Sequence, residues 1–169
     1  MTRRDYILQW TAYGIALLVV TGMERLVFNR IPVYGVIPVL LPAALVACSV
    51  LESAKSGAAY GIAVGVMMSV GAGGGYWRIV VCAAAGLCCG LLARYVIRHD
   101  FVGHLLCCLL LLALRMAWCI GIRLLTEVAS FEVLINVALP ELVWSMVLSV
   151  PIYFIYRFIC RHWGRQYFL

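Results

Sequence analysis

Polar residues interrupt this chain at regular intervals, and long apolar runs fill the space between them. The runs cover about Tyr6–Val27, Val36–Leu51, Ser56–Val70, Trp77–Ile97, Phe101–Leu125 and Leu139–Cys160. Most approach the roughly 20 residues that an α-helix needs to cross a hydrocarbon core. The pattern predicts an all-α, polytopic membrane protein, a compact bundle of six transmembrane helices forming a single integral membrane domain over 1–169. The second and third runs are short, and a five-span alternative makes the third re-entrant. Every connecting loop is short, with no soluble domain or low-complexity tail. The first run follows "MTRRDY" but no small-residue cleavage site follows it, so it is expected to be a retained span and not a signal peptide.

Composition strengthens this picture. Hydrophobic residues make up 66% of the chain, charged residues 12%, and the mean hydropathy is +1.05. Water-soluble domains carry about a quarter charged residues. The net charge of +6 would suit a nucleic-acid partner, but the basic residues sit at the ends of apolar runs and form no stripe that could track phosphates. They set topology instead. With the N-terminus inside, Arg3, Arg4, Lys55, Arg94, Arg98, Arg157, Arg161 and Arg165 fall on the inner side and Arg25, Arg30, Arg78 and Arg123 on the outer side. The bias predicts that both termini are cytoplasmic. The last outer loop, "EVASFE", is acidic and agrees. The eight cysteines all lie in apolar runs, where the thiol packs as a small hydrophobe, and no disulfides are expected.

The stretch "GAAYGIAVGVMMSVGAGGGYWR" raises a chemical question. A phosphate loop of the Walker type needs a Gly-Lys-Ser/Thr ending, and here Arg78 follows two aromatics instead. Gly57, Gly61 and Gly65 keep a four-residue step, and Gly86 and Gly90 repeat it in the fourth run. This spacing places them on helix faces where another helix can approach closely. "GAGGG" reads as an outer turn, Tyr76 and Trp77 as headgroup-level anchors, and Ser56 as the N-cap of the third span.

Ionisable groups within spans are costly and mark either a pair or a site. Arg115 is the deepest. Glu24 near the outer end of the first span and Glu141 near the start of the sixth are at depths that suit it, which predicts an outward-leaning polar cluster of Glu24, Arg115 and Glu141. The cluster is a structural ion pair, a partner-binding element or a ligand site. Glu141 also follows Pro140, and the two suit the N1 and N2 positions of a helix beginning there. His104, Cys107 and Cys108 share one face but lack further ligands to complete a metal tetrahedron. No HExxH, GxSxG or other catalytic constellation is present. The chain is expected to be non-enzymatic, with no catalytic residues, no cofactor and no metal.

Taken together, "TGMERLVF", the proline-bearing second span, "YGIAVGVMMSV", "AAGLCCGLLARYV" and "LPELVWSMVLSVPIYFIYRF" resemble the MreD family of rod-shape-determining membrane proteins. The resemblance covers most of the chain. Many family members carry an Asp shortly after the G-x-x-x-G segment, where this chain has Met68 and Ser69. The resemblance implies a non-enzymatic component of the bacterial cell-elongation machinery in the cytoplasmic (inner) membrane. Its implied partner is an MreC-like single-span protein, and through it the MreB filament and the RodA–transpeptidase synthase that builds side-wall peptidoglycan. The six-helix architecture is also similar to the substrate-binding S components of energy-coupling-factor vitamin transporters. That is the alternative reading, with Ala12 and Ala16 as a small-residue docking face. A vitamin binder would offer an outer pocket of aromatic and polar side chains.

Overall fold

In the computed structural model the protein is a bundle of six α-helices. The structure describes residues 3–28, 30, 38–70, 75–95, 101–126 and 131–163, with side chains described from residue 7 to residue 162 outside positions 131–133. The helices are α1 (Arg3–Gly22), α2 (Leu41–Leu51), α3 (Ala54–Ser69), α4 (Trp77–Tyr95), α5 (Phe101–Leu125) and α6 (Phe131–Trp163). A π-helical turn, Met23–Phe28, continues α1. The glycine turn 71–74, the acidic loop 127–130, Arg98 and Arg165 lie outside the described residues.

Four helical stretches are long and apolar enough to cross a membrane: Ile7–Phe28, Trp77–Tyr95, Phe101–Leu125 and Leu134–His162. At 1.5 Å per residue, the 11 residues of α2 rise only about 16 Å, half of a hydrocarbon core. Of the expected second span at Val36–Leu51, residues 38–40 are not helical and the described helix starts at Leu41, while Val36 and Ile37 lie outside the described residues. A continuous apolar run cannot reveal this, because its pattern is the same whether the backbone is helical or extended. Pro42 sits at the start of α2, where its missing N–H costs no hydrogen bond.

Two other expectations are corrected. The sixth helix begins at Phe131, not at Pro140, which lies inside it together with Pro151. The N-cap of α3 is Ser53, whose Oγ accepts from the Ser56 N–H at 3.4 Å.

The bundle is built around α2. All eleven of its residues are buried, and it touches each of the other five helices. The other helices turn large apolar side chains outward as well as inward. On α1 the buried face runs Gln9, Tyr13, Ala16, Leu17, Val20 and Thr21, whereas Ile15 is 63% and Leu18 59% exposed. On α6 Ser145, Ser149 and Tyr156 are wholly buried, while Phe154 and Phe158 point outward. Apolar side chains fill the interior together with a few buried polar ones, and large apolar side chains also cover the surface. Such an exterior is stable against lipid tails and not against water, so the protein is a multi-pass membrane protein.

The glycine faces meet each other. A Cβ on Gly57 would lie 2.7 Å from the Gly86 carbonyl oxygen, one on Gly65 2.6 Å from Ile79 Cα, and one on Gly90 2.5 Å from Ala54 Cα. On Gly61 it would strike the Cys82 carbonyl, and on Gly86 the Gly57 carbonyl. The helices α3 and α4 therefore pack backbone to backbone, and this face is internal to the bundle.

Candidate functional site: capped ends of a buried half-helix

A half-helix inside a membrane protein has a specific problem. Its first N–H groups have no partner in the preceding turn, and no water is at hand to satisfy them. The chain at 38–40, just before α2, is outside any helix, with Leu40 as the N-cap residue. Glu24 solves part of the problem from another helix. Its Oε2 accepts from the Leu40 N–H and the Leu41 N–H, both at 3.0 Å. Ser145 of α6 accepts the next, with Val39 N–H to Oγ at 3.0 Å. A carboxylate at a helix N-terminus is also favoured by the helix dipole.

The neighbouring residue does the opposite job. Arg25 Nη2 donates to the Met67 carbonyl at 2.8 Å and to the Val70 carbonyl, at the C-terminal end of α3. A cation suits that end of a helix. Because α2 and α3 run antiparallel, the N-terminus of one lies beside the C-terminus of the other. Consecutive residues of opposite sign on one wide turn thus fasten both ends to α1.

Arg115 and Glu141 form an ion pair, Nη1 to Oε1 at 2.9 Å, with side chains 37% and 19% exposed. Of the three residues expected to cluster, the structure brings these two together by direct contact. Glu24 spends its carboxylate on the α2 amides. The pair lines a cleft of about 80 Å³ between α5 and α6, shared with Met116, Cys119 and Arg123.

The opposite end of α2 carries a second polar group. Glu52, in the turn to α3, accepts hydrogen bonds from Tyr13 Oη at 2.9 Å and from Gln9 Nε2. Tyr13 stacks on Tyr156 at 5.7 Å, and the hydroxyls of Tyr60 and Tyr156 are hydrogen-bonded. Burial pushes the Glu52 carboxyl above its ordinary range, against the lowering effect of the Tyr13 and Gln9 hydrogen bonds. This cluster, the Ser145 contact and the Arg25 contact were not foreseen. Only Gln9 and Tyr13, four residues apart on one face of α1, offered a signal in the sequence.

His104 is buried, 4.8 Å from the Tyr153 ring centroid and with Nε2 3.6 Å from Cys108 Sγ. Among the described residues no group of three His, Cys, Asp or Glu side chains is arranged to hold a metal ion. A shallow apolar groove of about 420 Å³ runs between α1 and α6, flanked by Ala12, Ala16, Val20, Pro151 and Ile155. No family model matches the chain, and no curated protein or solved structure matches it.

Proposed function

We propose that this protein is an MreD-like scaffold of the bacterial cell-elongation machinery, seated in the cytoplasmic membrane with six spans and both termini inside. In this reading the α2–α3 hairpin completes the second and third crossings of the hydrocarbon, with its turn at Glu52 and Lys55 on the inner side. The protein docks the single span of an MreC-like partner and through it organises the MreB filament and the RodA–transpeptidase synthase.

The groove between α1 and α6 is the observation that favours a scaffold over a vitamin binder. Its walls are entirely apolar. A small-molecule site of that size carries a few placed polar groups that fix orientation. An apolar wall with Ala12 and Ala16 on one side suits close approach of a second helix. The glycine face is consumed by α3 against α4, so the reading assigns the partner's span to α1 and α6.

Depletion of the protein in its own cell tests the reading. Loss of rod shape and of side-wall growth is the expected outcome, together with co-purification of a single-span, coiled-coil protein. Unchanged shape, with a vitamin bound tightly to the purified protein, would overturn it in favour of a transporter S component.

A further inference from the structure

We propose that the cleft between α5 and α6 binds the phosphate of an anionic lipid headgroup, held by Arg115 and Arg123. This inference does not depend on the elongation reading.

Arg115 lies ten residues short of Leu125, the end of α5, and so about 15 Å along the axis from it. Its guanidinium therefore starts at hydrocarbon depth, where an unmatched charge is expensive. Glu141 matches the charge but accepts through a single contact, Nη1 to Oε1. A guanidinium carries five N–H donors. The Arg115 side chain is 37% exposed and lines the cleft, so its guanidinium is accessible to a ligand there. Arg123, about 12 Å further along α5, lines the same cleft. Two guanidinium groups against one carboxylate leave the cleft one positive charge in excess.

The cleft calls for an anion, and its surroundings say which kind. At about 80 Å³ it admits a small group and is far below the roughly 300 Å³ of a drug-sized pocket. Met116, Cys119 and Val137 give it apolar lining, and Val137 is 46% exposed on the apolar outer surface. A ligand thus arrives along the bilayer, with an apolar part that stays outside and an anionic head that enters. Guanidinium groups match phosphate oxygens in planar, bidentate geometry. A phosphate-bearing lipid has both parts.

The test reconstitutes the full chain in nanodiscs of equal phosphatidylglycerol and phosphatidylcholine and counts the lipids retained after release by native mass spectrometry. Wild type should retain phosphatidylglycerol several-fold over phosphatidylcholine. Arg123→Gln should lose that preference, whereas Glu141→Gln, which raises the excess charge, should strengthen it. Arg78→Gln removes an arginine outside the cleft and should leave the preference intact. No preference in wild type, or a preference that survives Arg123→Gln, overturns the proposal. Equal loss in Arg78→Gln also overturns it, as general attraction to the surface. Displacement of the lipid by inorganic phosphate at matched concentration would assign the cleft to free phosphate, and would overturn the lipid as its occupant.

Discussion

Glu24 caps a helix to which it does not belong, so its loss would strand backbone donors on another element. Glu24→Ala would leave the Leu40 and Leu41 amides without an acceptor in a dry interior. Each orphaned buried donor costs about 1–3 kcal/mol, so the variant should lose about 2–4 kcal/mol of resistance to unfolding in detergent. Glu24→Gln keeps an oxygen that can accept and should lose distinctly less. Equal losses in the two variants would show that the hydrogen bonds to α2 are not what the carboxylate supplies. Glu52 predicts a pH effect of definite sign. Burial raises its folded-state pKa, so its stabilising contribution is fully present below the ordinary carboxyl value of 4.5 and declines as pH rises through the raised value. Melting temperatures of wild type and Glu52→Gln should therefore diverge as pH rises above the ordinary carboxyl value of 4.5, with wild type losing ground toward alkaline pH. A parallel pair of curves would refute the assignment. Neither role was readable beforehand. The charge of Glu24 stands out in "TGMERLVF", but nothing local tells a carboxylate whether its partner is an arginine or the open end of a distant helix.

At the scale of elements, the α3–α4 contact is the tightest in the fold. Gly61→Leu would drive a side chain into the Cys82 carbonyl and the Ala83 backbone. Because this face is internal, the expected outcome is loss of folded, monodisperse protein and not merely loss of a complex. Gly14→Leu is the control, since nothing lies within 4 Å of a Cβ built there. If size-exclusion profiles of the two variants match, the packing argument fails. This contact was legible in outline, because glycines at a four-residue step announce a close helix neighbour. The half-helix was not. Its uniform run of apolar residues conceals where the helix begins. The start of α6 was hidden for a related reason. Pro140 looks like a helix beginning, and only the surrounding packing carries the helix through it.

The whole molecule is a bundle with an apolar exterior, and topology is the property to test at that scale. Lys55 is the only lysine in the chain and is exposed in the first turn of α3. With six spans, a membrane-impermeant amine reagent should modify Lys55 in inside-out vesicles and spare it in right-side-out ones. Peptide mapping separates Lys55 from the N-terminal amine. Modification from the outer side would reverse the orientation. Reporters fused at the two ends should both read the cytoplasm, whereas the five-span alternative puts them on opposite sides. Composition alone identified the class, because so apolar a chain has no other solvent available. The interior polar groups escaped notice because each is small and local, and their meaning lies in which distant backbone atoms they meet.

The adjacent pair Glu24 and Arg25 carries a consequence about order, separate from content. Each charge faces a helix end of matching polarity, and the two ends lie side by side. Exchanging the two residues would preserve length, composition, hydropathy and net charge, and every bulk property that places the chain in a membrane. It would nonetheless aim a cation at bare amides and an anion at bare carbonyls, so that both fastenings repel. In this wide turn the information sits in the direction of reading, as an arrow from acid to base that only the antiparallel hairpin beside it can interpret.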